Sequence, residues 1–224
     1  MKIVLKNIDN LQYAVRYPNN FNENEKYPVI LFLHGAGGRG NDINVVLNYP
    51  YFTITEKDED FPFITYAPLC SENTWFDLFA QLKKLVITIT KDKNTDIERI
   101  YGIGASMGGY ATWQIAMSMP ECFAAIAPIC GGGMYWNAGR LVNVAVWAFH
   151  GKKDTTVLPV ESEHMVERVK ACGGEANLTI YPENDHDAWT DTYSNPEVYK
   201  WFLKHKNSNS AQIQDMYKGS ELWG

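Results

Sequence analysis

Ile100-Tyr101-Gly102-Ile103-Gly104-Ala105-Ser106-Met107-Gly108-Gly109-Tyr110 is the stretch that decides the architecture. The apolar run at 100–103 reads as a buried strand, and residues 110–119 read as a helix. Ser106 stands between two glycine-bearing flanks where one element must become the other. A strand that turns sharply into a helix forces its corner residue into a strained backbone conformation, and glycines on either side remove the Cβ atoms that would collide. The strain holds the Ser106 hydroxyl at the tip of the turn, the arrangement of a nucleophile elbow.

Outward from this corner the chain alternates between two textures. Residues 1–17 hold short mixed apolar runs split by Asn7-Ile8-Asp9-Asn10, a turn-type cluster, and read as two antiparallel edge strands. Compact apolar or β-branched runs follow at 29–33, 63–66, 99–103, 124–129, 144–149 and 178–181, several of them continuous, as strands buried on both faces should be. Between them lie helical candidates at 77–90, 107–119, 160–172 and, after a start at Ser194, 196–206. Strands alternating with helices imply right-handed crossovers and a mostly parallel sheet covered on both faces, so the expected class is α/β. Only about a dozen residues separate the 124–129 and 144–149 strands, too few for an inserted lid domain, and an open site is expected.

The 224 residues suit one domain, placed at 1–206, with a polar C-terminal tail at 207–224. With 20 Lys+Arg against 26 Asp+Glu the formal charge is −6, and charges of both signs are scattered, which gives no footprint for a nucleic-acid partner. No stretch approaches the ~20 apolar residues of a membrane span, and Met1-Lys2-Ile3-Val4-Leu5 runs into polar Lys6-Asn7 without the apolar centre of a secretory leader. The expectation is a cytoplasmic protein without a membrane partner. Cys70, Cys122, Cys130 and Cys172 are widely separated, fit no zinc spacing and read as free thiols packed as small apolar groups.

A lone serine is a poor nucleophile at neutral pH; it needs a base for its proton and a third group to fix that base's tautomer. After Ser106 comes Asp154, in His150-Gly151-Lys152-Lys153-Asp154 just past the 144–149 strand. Then comes His186, in Asn184-Asp185-His186-Asp187 just past the 178–181 strand. All three fall beyond the C-terminal ends of strands, where open α/β sheets place their sites. His164 and His205 lie inside helical candidates and His150 precedes the acid loop, so these read as packing or surface residues. Asp185 and Asp187 flank the base but read as loop residues, because sequence neighbours rarely face the ring. Acyl transfer also needs donors for the developing oxyanion. The backbone N–H groups of Met107, directly after the nucleophile, and of Ala36, in His34-Gly35-Ala36-Gly37-Gly38, are assigned that role. The glycine loop lacks the Gly-Lys-Ser/Thr ending of a phosphate-binding P-loop.

These stretches, with Leu33 before the glycine loop and Ala188-Trp189 after the base, resemble the α/β-hydrolase superfamily. More narrowly they are similar to small serine esterases of the dienelactone hydrolase, feruloyl esterase and polyhydroxybutyrate depolymerase-like branch, which also includes prolyl-oligopeptidase-like peptidases. The resemblance spans about residues 27–205. It implies hydrolase chemistry without fixing the substrate, because one fold hosts many acyl groups. A serine nucleophile in place of cysteine departs from dienelactone hydrolase proper and argues against that activity.

The function expected is therefore a serine carboxylic ester hydrolase working through a Ser106-His186-Asp154 triad and an acyl-enzyme, on a small-molecule ester, with no metal and no organic cofactor. Trp75 and Trp189, in strand-end loops, are expected to wall a pocket for short-chain or aromatic acyl groups, such as feruloyl or acetyl esters of plant polysaccharide fragments. Arg39 is expected to meet a substrate carboxylate or hydroxyl, or to pair with Asp42. A peptidase, which would need a further domain to hold peptides, a thioesterase and a non-catalytic receptor on the same fold are the competing readings.

Overall fold

The apolar runs pair into one sheet. In the computed structural model, which describes residues 2–208, 210 and 213, the strands are β1 (Lys2–Ile8), β2 (Leu11–Tyr17), β3 (Tyr27–Leu33), β4 (Ile64–Pro68), β5 (Thr95–Ala105), β6 (Ala125–Ile129), β7 (Ala145–Gly151) and β8 (Ala176–Tyr181). They lie side by side as β1-β2-β4-β3-β5-β6-β7-β8. The β1-β2 and β2-β4 pairs are antiparallel and every other pair is parallel. The β1-β2 hairpin turns through Asp9 (φ 47°) and Asn10 (φ 67°), residue types that tolerate the left-handed region.

The helices are α1 (Asn44–Leu47), α2 (Pro50–Thr55), α3 (Phe79–Lys91), α4 (Met107–Ser118), α5 (Val160–Ala171), α6 (Trp189–Ser194) and α7 (Pro196–Lys204). They divide between the two faces. Val29, Leu31 and Leu33 of β3 pack in one core with residues of α3, α4 and α5, while Ile30 and Phe32 join another with residues of α2, α6 and α7. A strand covered on both sides has no solvent face, which is why its sequence does not alternate. Among the described residues no lid domain stands over the strand ends. The β6-β7 connection carries only the 3-10 segment Tyr135–Leu141.

Sequence reading placed the long helices within a few residues of where they lie, and left α1, α2 and α6 unassigned. The start of α7 moves by one residue: Asn195, not Ser194, is the cap, its side chain accepting the Glu197 N–H at 3.0 Å. Ser194 closes α6, its hydroxyl donating to Thr190 O. Arg16 of β2 is 1 % exposed. Its guanidinium lies 4.9 Å from the Phe52 and Phe61 ring centres and donates to Thr55 Oγ1 at 2.7 Å, fastening α2 to the sheet.

All four cysteines are free. Among the described residues no helix is long and apolar enough to cross a membrane. Most of the segment read as a tail lies outside the described residues. Its first member, Asn207, is buried and donates its N–H to Glu98 O at 2.8 Å, and Ser210 and Ile213 are also buried.

Candidate active site

Ser106 sits between β5 and α4 with φ 56° and ψ −119°, a combination that L residues rarely adopt. The flanking glycines are required by contact. A Cβ on Gly104 would lie 2.5 Å from Gly108 O, and one on Gly108 would lie 1.9 Å from Leu33 O. Both neighbours are backbone, so neither can swing away. The Ser106 N–H donates to Ile129 O at 2.9 Å, tying the corner to the end of β6.

The loops after β5, β7 and β8 bring Ser106, Asp154 and His186 together. His186 Nδ1 lies 2.7 Å from Asp154 Oδ2, and His186 Nε2 lies 2.9 Å from Ser106 Oγ. Ionised Asp154 only accepts, so Nδ1 carries the ring proton and Nε2 is left to accept from the Ser106 hydroxyl. Asp154 Oδ1 accepts from the backbone N–H groups of Thr156 (2.8 Å) and Val157 (2.9 Å). Burial pushes the Asp154 carboxyl up, but the hydrogen bonds from His186, Val157 and Thr156 outweigh it and hold the group below the usual carboxylate range. Asp185 and Asp187 stay out of this chain: Asp187 Oδ1 accepts the Thr190 N–H at 3.0 Å in the first turn of α6.

Cys130, Asp154 and His186 offer ligand atoms within 4.8 Å of one another. Burial pushes the Cys130 thiol up, away from the thiolate a metal would take, and His186 Nδ1 is occupied by its proton to Asp154. The set therefore suits proton transfer better than metal binding.

Ser106 and His186 open into a cavity of about 350 Å³ lined also by Gly35, Ala36, Gly37, Tyr49, Ala105, Thr156 and Trp189. Trp189 meets the His186 ring edge-on, centroids 5.4 Å apart. Ala36 opens the 3-10 turn Ala36–Gly38 and Met107 is the first residue of α4. N–H groups at the first positions of a helical turn have no acceptor within it; Ala36 lines the cavity, and Met107 follows Ser106 directly in the chain.

Trp75 and Arg39 are placed differently from expectation. Trp75 is fully buried and does not line the cavity; its indole N–H donates to His34 O at 3.0 Å. Arg39 donates to Ala36 O and Asn73 O, both at 2.9 Å. Asp42 instead accepts from Asn44. Trp75 thus packs beneath the glycine loop, and Arg39 ties Ala36 O in that loop to Asn73 O. Between them His34 accepts the Cys70 N–H at Nε2 (3.0 Å) and donates from Nδ1 to Gly35 O (2.7 Å). Its burial pushes the imidazole pKa down to about 4, so the loop rests on a neutral ring.

Tyr135 and Trp136 are exposed. Tyr135 borders a separate depression with His164, Glu167, Arg168 and Ala171. The lining residues that sequence reading missed are Tyr49 and Thr156. Thr156 follows Asp154 by two positions, a signal within reach; Tyr49 comes from a loop whose path no periodicity reveals.

The model of the dienelactone hydrolase family matches residues 56–216. Feruloyl esterase D of Neurospora crassa is 26% identical over 153 residues, covering 64% of this chain and 53% of its own. A bifunctional acetylxylan esterase/xylanase of Neocallimastix patriciarum is 23% identical over 229 residues, covering 92% of this chain and 32% of its own. The chain thus spans about half or less of the length of these curated relatives. Among solved structures, a thermostable esterase superposes with a TM-score of 0.76 at 28% identity, covering 92% of this chain and 63% of its own. Est1E of Butyrivibrio proteoclasticus does so at 0.70 and 15%, covering 90% and 99%, and attests the fold alone.

Proposed function

Because the chain belongs to the dienelactone hydrolase family, we propose that it is a serine carboxylesterase whose reacting groups are Ser106, His186 and Asp154. The observation that carries this reading is the unbroken run of hydrogen bonds from Ser106 Oγ through His186 to Asp154, opening on a cavity that the glycine loop borders.

Ser106 Oγ attacks the ester carbonyl carbon while His186 Nε2 takes its proton, and Asp154 stabilises the imidazolium that forms. The carbonyl electron pair moves onto oxygen, where the N–H groups of Ala36 and Met107 receive it. Collapse expels the alcohol, protonated from His186, and leaves the acyl group on Ser106. Water, deprotonated by the same ring, attacks that acyl carbon and releases the acid. As the bond from Ser106 Oγ to the acyl carbon breaks, His186 returns the proton taken from water to Ser106 Oγ, and the site is restored.

The cavity lies at the small end of the range for ligand pockets, and Tyr49 and Trp189 give it two aromatic sides. These walls favour a short or flat aromatic acyl group. The relatives named feruloyl and acetylxylan esterases are consistent with that choice.

The test is hydrolysis of a chromogenic ester series, acetyl through octanoyl plus a feruloyl ester, by the wild type and by Ser106→Ala. Turnover on short or aromatic esters, reduced about 10⁴-fold or more by the substitution, is expected. Equal turnover by a folded Ser106→Ala protein overturns the reading.

A further inference from the structure

The triad carboxylate has a second imidazole behind it. His150 is the last residue but one of β7 and is fully buried. Its Nε2 lies 2.9 Å from Val157 O and 3.2 Å from Asp154 Oδ2, the same oxygen that receives His186 Nδ1 at 2.7 Å. Val157 O only accepts, so Nε2 carries a proton and donates it there, and Asp154 Oδ2 lies beside that N–H at a nitrogen-to-oxygen distance of 3.2 Å. On the far side Nδ1 lies 2.8 Å from Ser162 Oγ, which is itself 2.9 Å from Gly131 O. The ring is thus fixed at both nitrogens, and its Nε2–H edge lies against Asp154 Oδ2 on a buried side of the carboxylate.

We propose that His150 is a positioning residue for the reaction: its Nε2–H holds Asp154 Oδ2 in line with His186 and moderates the basicity of His186. This rests on the reading of Ser106, His186 and Asp154 as the reacting triad. The physical argument is that the partial positive charge of a buried N–H edge 3.2 Å from a carboxylate oxygen offsets part of that oxygen's negative charge. With His150 donating, Asp154 stabilises a charged His186 less than a carboxylate bound to His186 alone, so the base releases its proton more readily to the leaving alcohol. Without that donor, Oδ2 keeps only one side-chain partner, its angle relaxes, and His186 holds a proton to higher pH.

The other titratable groups around the pair are Cys130 at the end of β6, Tyr110 on α4, Glu161 on α5 and Asp187 beside the base. Burial pushes the Cys130 thiol and the Tyr110 phenol up, so both stay protonated and uncharged over the range in which an imidazole titrates. Glu161 and Asp187 do not touch Asp154 by hydrogen bond in the structure, and both remain in every variant compared below.

The experiment compares kcat, KM and the pH profile of kcat/KM for wild type, His150→Asn, His150→Phe and His150→Gln. Asparagine reaches Ser162 but is too short for Asp154; phenylalanine keeps the ring volume and has no donor; glutamine places an amide N–H near the original Nε2. The acid limb should move up by about half a pH unit or more in the Asn and Phe variants, with kcat lower by roughly threefold to tenfold at unchanged KM, and glutamine should restore both. Whichever of the Asn and Phe variants folds suffices. An acid limb that stays in place in a folded donor-less variant, or that moves equally with glutamine, reduces His150 to packing and overturns the proposal. The His186 Cε1–H resonance, followed through pH by NMR and assigned with His186→Gln, reads the same shift without turnover. If the wild type hydrolyses no ester yet this resonance titrates higher in His150→Asn, the esterase reading fails while the positioning stands; a resonance that titrates identically refutes the positioning whatever the activity.

Discussion

Among single residues, His34 shows how chemistry-bearing side chains are diverted into support. It begins the glycine loop, yet both its nitrogens are spent on backbone, accepting from Cys70 and donating to Gly35 O. With its pKa pushed down to about 4, against about 6.5 in an unfolded chain, the folded state binds fewer protons than the unfolded state between those values. Its contribution is therefore fully present above pH 6.5 and drains away as pH falls through 6.5 towards 4. The loss attributable to this ring is about 2 kcal/mol by pH 5 and on the order of 3 kcal/mol when complete. Urea unfolding at pH 7.5 and pH 5 should show wild type losing more stability than His34→Gln by about that 2 kcal/mol. Equal losses would mean that His34 is protonated in the fold.

The same residues mark what sequence can and cannot disclose. Ser106, Asp154 and His186 were legible because each sits where a strand run stops, and chain order alone brings them to one end of the sheet. Trp75 was misplaced because an aromatic residue in a loop has no periodicity to say whether it turns inward; here its indole N–H found His34 O and the ring went with it. Arg39 followed Ala36 O for the same reason. His150 read as structural because it precedes the acid loop, and only the turn through Lys152 and Lys153, closed by the Asp154 N–H on Gly151 O, returns the carboxylate to its edge.

At the level of elements, α2 and α6 escaped the sequence because six residues do not complete two helical turns, too short a window for a 3.6 period to register. What makes them elements is tertiary. Tyr51 and Phe52 of α2 and Tyr193 of α6 are buried against Phe32 of β3, and Arg16 reaches from β2 to the Thr55 hydroxyl. Arg16 works by filling an aromatic enclosure as much as by its charge. Arg16→Ala should therefore cost about 3 kcal/mol or more by thermal denaturation, from the cavity and the abandoned hydroxyls. Arg16→Met, which keeps the volume and removes the desolvated charge, should stay within about 1 kcal/mol of wild type. If methionine proves as damaging as alanine, the guanidinium hydrogen bonds carry the stability.

Across the whole molecule, the alternation of strand and helix fixed the class, the parallel centre and the end of the sheet at which the loops gather. The position of β4 between β2 and β3 was not legible, because strand order depends on which face each crossover helix takes, and apolar runs buried on both sides carry no mark of their neighbour.

Among the described residues the entrance is framed by the glycine loop, the α6 start and the ends of β5 and β7 with no lid across it, and this bears on the time course of turnover. With no described segment across the entrance, turnover is expected to proceed without a gating step that has a rate of its own. Progress curves should start without a lag, and sucrose added to raise the viscosity severalfold should leave kcat for a slow ester unchanged. A kcat that falls in proportion to viscosity would mean that some part of this frame breathes in step with catalysis.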